Sequence, residues 1–464
     1  MKKLISILLL SIIISSITYS VSAEGFPSTV EGTCKSYIMV TMEEGDVVYA
    51  NNADEELPMA SLTKIITYIV AYENIPDIQN TVITVTQDVS DILESTNSSL
   101  ANIKVGEELT AYELLNLMLV PSGNDAALAL ALYYDSTQGY YSENTNTSGA
   151  DSRAYDMTGS PFVALMNEKA AELGCENTNF TNPHGLYCED HYSTARDLAV
   201  LTRYATTLPY FTEITSQLYY TLEPTNMRTK ELTVYTSNKM LTSYSTSGTS
   251  YYYKYATGIK TGSLTESGYC LASSATYNGY SYIIIALGAD MEDDEGNTLD
   301  NAAMIDSANL YRWAFLNLED QTVVSAGTLL GDVIVEYAWD QSILQVVAEE
   351  NVRILLPSSL SLSSITVTLD LPDEVQAPIS QGDIIGIATF TYEGTELATV
   401  NVVASESVDR SQLIHTIEVG KDVISSPIFI GVICAIIVIL ILYITVSVMY
   451  NKKRSKSRSR KFKG

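Results

Sequence analysis

Three short groups of side chains in this sequence are equipped for nucleophilic chemistry: Ser61-Leu62-Thr63-Lys64, Ser122-Gly123-Asn124, and Lys260-Thr261-Gly262 followed by Ser263. A serine hydroxyl is a poor nucleophile at neutral pH and needs a base beside it. On a helix, positions i and i+3 share a face, so Lys64 can reach the Ser61 hydroxyl. A lysine serves as a base only when its pKa is lowered, which burial and a second cation both do. The residues after Lys64 are apolar nearly all round, and Lys260 can supply the cation. A helix start also offers free backbone N–H groups to a developing anion.

The other residues suit supporting roles. Ser122 can relay a proton to a leaving amine. Asn124 can orient Lys64 and hydrogen-bond a substrate amide. Lys260 can attract a substrate carboxylate, with Thr261 adding a hydroxyl. Gly262 has no side chain, so a substrate can lie flat against its strand. The backbone amides of Ser61 and Ser263 are candidates for an oxyanion hole. With a lysine as base, no Ser-His-Asp triad is required. His184, Cys188 and His191, with Cys175 upstream, are residue types that bind zinc, but we assign no metal and no cofactor.

The elements that must position these groups can be read along the chain. Tyr37–Val40 and Val47–Tyr49 around Glu43–Asp46 predict a β-hairpin. The spacing of Leu62, Ile65, Ile66, Ile69 and Val70 predicts a buried helix over Ala60–Tyr72. Ala111–Leu119 and Asp125–Tyr133 read as helices broken at Pro121-Ser122-Gly123. Residues 134–156 read as a polar surface insertion. Pro161–Leu173 and Ser193–Thr206 read as helices, the second capped by Ser193. Tyr269–Ala275 and Ser281–Ala289 read as strands around Asn278-Gly279, followed by a helix over Asn301–Leu316. Beyond about residue 320, short β-type runs recur at Val333–Tyr337, Ile343–Val347, Val352–Leu356, Ile365–Leu371, Ile384–Tyr392 and Leu397–Val403, which predicts a small β-rich domain.

The two ends stand apart. Residues 1–23, with Lys2, Lys3, a short apolar run and Val21-Ser22-Ala23, read as a secretory signal peptide. Pro427–Val448 is an uncharged run of about 33 Å as a helix, enough to cross a bilayer. Lysines and arginines from Lys452 to Lys463 place the following side in the cytoplasm and suit anionic headgroups. The chain carries 26 basic and 55 acidic residues. Two basic residues lie in the first 23 positions and eight after the apolar run, with no acidic residue in either. The stretch between holds 16 basic residues against 55 acidic ones, a net −39. That balance excludes nucleic-acid binding by this part of the chain. Five cysteines are too few for a disulfide scaffold, and whether Cys175 and Cys188 pair is open.

The motifs and their surroundings resemble the low-molecular-mass penicillin-binding proteins, the serine-type D-alanyl-D-alanine carboxypeptidases. The likeness runs through Pro58–Lys64, Pro121–Ala127, Asn182-Pro183-His184-Gly185-Leu186, His191–Asp197 and Gly258–Ser263, and covers nearly all of the chain after the leader. The resemblance implies an α/β (α+β) domain of β-lactamase/transpeptidase type, then a small all-β domain and a C-terminal transmembrane helix. The expected layout is signal peptide 1–23, peptidase domain 24–320, β-rich domain 321–415, stalk 416–426, transmembrane helix 427–449 and basic tail 450–464. It implies Ser61 as acylated nucleophile, Lys64 as general base, and supporting roles for Ser122, Asn124 and Lys260. The implied substrates are peptidoglycan stem peptides ending in D-Ala-D-Ala, with β-lactams as covalent inhibitors. The implied location is the cell membrane, with the catalytic domain outside the cytoplasm.

Other readings have less behind them. A D,D-endopeptidase of crosslinks would use the same machinery. A β-lactamase needs a deacylating glutamate, and no E-x-x-L-N element lies between Ser122 and Lys260. A non-enzymatic β-lactam sensor or wall-binding protein is a further reading, of which the sensor would need a sizeable cytoplasmic output domain where only a short tail follows the span. The anchor departs from relatives that use an amphipathic helix, and the 134–156 insertion bears on substrate access. The β-rich domain is expected to act as a spacer between catalytic domain and anchor.

Overall fold

The computed structural model describes residues 24–25, 32–94, 96–140, 152–243, 250–338, 342–392, 394–411, 416–417 and 424–460. They divide into two compact units at Leu318/Glu319. The expected leader, 1–23, lies outside the described residues, as do His415 and most of the expected stalk.

The first unit is built on an antiparallel sheet of β1 (Glu24–Gly25), β2 (Ser36–Thr41), β3 (Val47–Asn51), β8 (Ala256–Leu264), β9 (Gly268–Tyr277) and β10 (Tyr280–Ala289), ordered β1-β3-β2-β10-β9-β8. Two antiparallel strand pairs lie outside it: β4 (Val82–Thr84) with β5 (Glu108–Thr110), and the hairpin of β6 (Tyr219–Leu222) with β7 (Leu232–Tyr235). The continuous apolar run of β10 is explained by cover on both faces. Ile283, Ile285 and Leu287 join the main helical core. On the opposite face Tyr282 lies against Phe315 of the helix Ala302–Asn317, ring centroids 5.3 Å apart.

The helices of this unit are α1 (Lys64–Asn74), α2 (Gln87–Leu93), α3 (Ala111–Leu119), α4 (Asn124–Thr137), α5 (Pro161–Glu172), α6 (Ala195–Thr207), α7 (Phe211–Thr215) and α8 (Ala302–Asn317). Every residue of α1 from Lys64 to Ala71 is buried. Three expectations are corrected. The helix predicted over Ala60–Tyr72 opens as a 3₁₀ turn, Ala60–Thr63, before the α-helix proper. Ser193 does not cap α6. Its backbone is bridged to Leu57, and Thr194 takes the Asp197 amide at 3.0 Å instead. The segment 134–156, read as a surface insertion, begins inside a helix: α4 runs on to Thr137, where the buried Asp135 carboxylate accepts from the Ser160 hydroxyl (2.7 Å) and the Phe162 amide (2.8 Å). Residues 141–151 lie outside the described residues.

The second unit holds β11 (Leu318–Val324), β12 (Leu329–Glu336), β13 (Ile343–Ala348), β14 (Val352–Pro357), β15 (Thr366–Asp370), β16 (Glu374–Gln376), β17 (Ile384–Tyr392) and β18 (Thr395–Ala404). Six form a sheet ordered β15-β17-β18-β13-β12-β16, and β11 pairs with β14. Sequence patterning missed β11, which continues from α8 without a turn residue, and the three-residue β16. A final helix, α9, runs from Pro427 to Arg460, past the expected end at 449. Its segment Pro427–Lys452 is long and apolar enough to cross a membrane.

Candidate active site

Ser61 sits in the 3₁₀ turn ahead of α1, where the preceding Ala60 takes a φ of 47°. A non-glycine residue in that region is strained and persists only where its surroundings hold it. Strand β8, the free edge of the sheet, supplies the opposite side. A Cβ on Gly262 would lie 3.0 Å from the Met59 carbonyl and 3.2 Å from the Ser61 nitrogen. Any side chain there would push the strand away from the serine, so the absent side chain sets how closely Lys260–Ser263 approaches Ser61.

Lys64 is fully buried. Its Nζ lies 2.9 Å from Ser61 Oγ, 2.6 Å from Asn124 Oδ1 and 2.8 Å from the His184 carbonyl. The last two groups can only accept. A neutral amine has two N–H bonds and one lone pair. Once both N–H bonds are committed to Asn124 and His184, the lone pair is left facing the Ser61 hydroxyl. Burial, reinforced by the Lys260 charge and opposed by that of Asp125, holds Lys64 well below its ordinary range.

Ser122 occupies the break between α3 and α4 with a φ of 68°, a second strained position beside the first. The fully buried Lys260 places its Nζ 2.7 Å from Ser122 Oγ and 2.9 Å from the Thr261 carbonyl, and burial brings it down to about 7. Two lysine–serine pairs therefore meet in one cleft, Ser61–Lys64 and Ser122–Lys260. Asn124 stands in the first turn of α4. The next residue, Asp125, is also buried, and its carboxylate accepts from the Ala101 amide at 2.8 Å and the Ile103 amide at 3.1 Å.

Ser61, Ser122, Asn124 and Thr261–Leu264 all line this cleft. So do the segments Thr96–Ser99 and His184–Leu186 and the side chain of Ser237, whose Oγ lies 2.7 Å from Thr261 Oγ1. The structure thus gathers all eight residues picked from the sequence, from Ser61 to Ser263. Sequence reasoning missed Ser237, Asp125 and the Thr96–Ser99 segment. Only Asp125, adjacent to a motif, left a trace in the sequence. No aspartate or glutamate lines the cleft among the described residues.

The histidines have other partners. His191 Nδ1 accepts from the Thr181 amide at 3.0 Å, and its Nε2 lies 2.8 Å from Thr63 Oγ1. Burial, then the Lys64 and His191 charges, keep His184 well below its usual range. Among the described residues no three His, Cys, Asp or Glu side chains converge as a metal site. All five cysteines are free, so Cys175 and Cys188 are not bonded.

Residues 22–291 match the sequence profile of D-alanyl-D-alanine carboxypeptidases, and residues 318–410 match that of the C-terminal domain of penicillin-binding protein 5. The chain is 27% identical over 419 residues to D-alanyl-D-alanine carboxypeptidase DacF of Bacillus subtilis, which covers 89% of this chain and 96% of that one. Penicillin-binding protein 5 from Haemophilus influenzae is similar in structure, with a TM-score of 0.59 and 25% identity over 83% of this chain and 100% of that one. The DD-transpeptidase of Streptomyces K15 matches with a TM-score of 0.51 and 27% identity, over 62% of this chain and 100% of its own.

Proposed function

The chain belongs to the D-alanyl-D-alanine carboxypeptidase family of serine peptidases, and from that premise we propose that Ser61 is its acylated nucleophile and Lys64 the general base. The observation that carries this assignment is the placement of Lys64 Nζ, held by two acceptors and aimed at Ser61 Oγ.

The substrate is a stem peptide ending in D-Ala-D-Ala. It lies along the free edge of β8 as an added strand, its terminal carboxylate drawn to Lys260 and Thr261. Lys64 takes the Ser61 proton as Oγ attacks the penultimate D-alanine carbonyl. The amides of Ser61 and Ser263 flank the carbonyl oxygen and take up its negative charge. The proton passes through Ser122 to the departing D-alanine nitrogen, and the C–N bond breaks. Water then attacks the ester carbonyl, Lys64 accepting its proton and passing it to Ser61 Oγ as the acyl C–O bond breaks, which restores the serine hydroxyl and frees the shortened peptide. Asn124 holds Lys64 and receives the substrate amide. A β-lactam enters by the same attack and leaves slowly. The absence of a carboxylate lining the cleft among the described residues supports this over a β-lactamase, which needs one to activate water.

A membrane anchor is supported by α9. The finer topology belongs to the same proposal: residues 1–23 direct export, everything up to the anchor lies outside the cytoplasm, and the basic tail stays inside.

The test is intact-protein mass spectrometry of the full chain in detergent, with and without benzylpenicillin, beside Ser61→Ala. A peptide ending in D-Ala-D-Ala follows. The expected result is one penicilloyl adduct on wild type alone and release of one D-alanine per peptide. An adduct that survives Ser61→Ala, or none on wild type, overturns the assignment. Fast penicillin turnover points to a β-lactamase, and an adduct without D-alanine release to an endopeptidase or a binding role.

A further inference from the structure

The cleft wall facing β8 is the segment Thr96–Ser99. Thr96 Oγ1 bonds locally, to the Leu93 carbonyl and to Ser98 Oγ (both 2.8 Å). The segment is tied to the catalytic groups through the Ser99 carbonyl, which accepts the Asn124 amide at 2.8 Å, with the Ala101 and Ile103 amides just beyond it bonded to Asp125. The chain on its far side, residues 102–108, is gripped by a hairpin that is distant in sequence. Glu107 is fully buried, and its carboxylate accepts from the Lys104 amide (2.8 Å), Thr225 Oγ1 (2.7 Å) and Arg228 Nε (2.8 Å). A second nitrogen of the same guanidinium donates to the Asn102 carbonyl. Asn226 bonds the Gly106 carbonyl (2.8 Å) and the Glu108 amide (2.9 Å), and Lys104 Nζ reaches the Met227 carbonyl (2.9 Å).

The gripping residues, Thr225–Arg228, form the tip of the β6–β7 hairpin. The other end of that hairpin leads to Ser237, whose amide bonds the Val120 carbonyl at 3.0 Å and whose hydroxyl meets Thr261. The hairpin is therefore a strap. One end is fixed on the substrate strand, and the other holds residues 102–108, the chain that follows the opposite wall, through the Glu107–Arg228 ion pair.

We propose that Arg228 is a positioning residue of the active site: by fixing Asn102 and Glu107 it sets the wall Thr96–Ser99, and through the Ser99 carbonyl the placement of Asn124 against Lys64. The proposal rests on the reading of Ser61 and Lys64 given above. Its physical basis is that an arginine fork bonding a carboxylate and a carbonyl fixes direction as well as distance. A displacement of about 1 Å, transmitted from outside the chemistry, costs up to about 100-fold in rate.

The experiment measures acylation by a fluorescent penicillin on the full chain in detergent, normalised to sites titrated at end point, with thermal unfolding in parallel. Arg228→Ala is expected to lower the per-site acylation rate by about 10- to 100-fold and to lower Tm, because Glu107 is left buried and unpaired. The double variant Glu107→Gln/Arg228→Met separates the two effects. It leaves no unpaired charge, so Tm recovers toward wild type, while acylation stays slow because nothing replaces the bond to Asn102. If Arg228→Ala does not fold, Arg228→Lys keeps the charge without the fork and is expected to slow acylation several-fold. Wild-type acylation per site in the folded single variants, or acylation that recovers together with Tm in the double variant, overturns the proposal. Failure of wild type itself to acylate overturns the Ser61 reading and this proposal with it, which a D-alanine release assay on the same sample shows independently.

Discussion

Asn124 offers the sharpest test of the proposal that Lys64 is the base. Its Oδ1 lies 2.6 Å from Lys64 Nζ and occupies one of the amine's two N–H bonds. In Asn124→Ala a buried donor loses its acceptor, at a cost of about 1–3 kcal/mol. If that cost falls on the arrangement needed for proton transfer, acylation slows by about 5- to 150-fold. Losing the acceptor disfavours the ammonium and moves the Lys64 pKa down rather than up, so the loss should persist at high pH. Asn124→Asp keeps the acceptor and adds a negative charge beside the ammonium, which favours the charged form and raises the Lys64 pKa. A base must be neutral to act, so this variant should be slow at neutral pH and recover as pH rises. The assay is the second-order rate of fluorescent penicillin labelling from pH 5 to 10. If both variants show the same pH profile as wild type, or if Asn124→Ala labels at full rate, Lys64 is not oriented through Asn124 and the proton-acceptor assignment fails.

Further outcomes follow from single contacts. Burial sets Lys260 at about 7 in the free enzyme, so its charge is present below that pH and lost above it. The value of kcat/KM for a D-Ala-D-Ala peptide should therefore fall on the alkaline side through a rising KM, a limb that Lys260→Met should abolish along with most affinity. A Cβ on Gly185, at a φ of 91°, would lie 2.0 Å from the Ala60 carbonyl. Gly185→Ala should cost more than about 2 kcal/mol in denaturant unfolding and disturb labelling of Ser61. Burial lowers His191 from its ordinary 6.5 to about 3 in the folded chain, so the unfolded chain binds protons first. Stability is then full above about 6.5 and drains as pH falls toward about 3, and His191→Gln should flatten that part of a Tm-against-pH curve. Deleting residues 325–404 with the anchor retained should reduce D-alanine release from intact wall but not from a soluble peptide. Equal loss on both would sink the spacer role.

What the sequence made legible here is chemistry whose partners are close along the chain or of unmistakable type. Ser61 and Lys64 share a helical turn, and Lys260-Thr261-Gly262 announces a strand with one bare position. The core was legible where burial leaves apolar runs, as in α1 and β10. The handover from 3₁₀ to α-helix between Thr63 and Lys64 was not, because apolar spacing is the same on both sides of it. Ser193 and Thr194 are equally good caps by type, and only the pairing of Ser193 with Leu57, far away in sequence, decides between them. Ser237, Glu107 and Arg228 stayed silent for the same reason: each acts through a partner more than twenty residues distant.

The same distinction separates the two lysines. Both are fully buried, a placement that disfavours a cation, and each is held by oxygen acceptors. For Lys64 the acceptors Asn124 and His184 exhaust the hydrogens of a neutral amine and turn its lone pair on a serine. For Lys260 burial stops near neutrality, so the arrival of a substrate carboxylate can tip it to the cation. The carboxylate's own charge offsets the new cation, so the pair leaves the Lys64 lone pair in place while it fixes the penultimate carbonyl before Ser61. A substrate ending in an amide lacks that fixing pair and should lose acylation rate as well as affinity. Single-turnover labelling of Ser61 by a D-Ala-D-Ala peptide and its C-terminal amide would separate the two losses. A deficit confined to KM would show that the pair adds affinity without fixing the carbonyl.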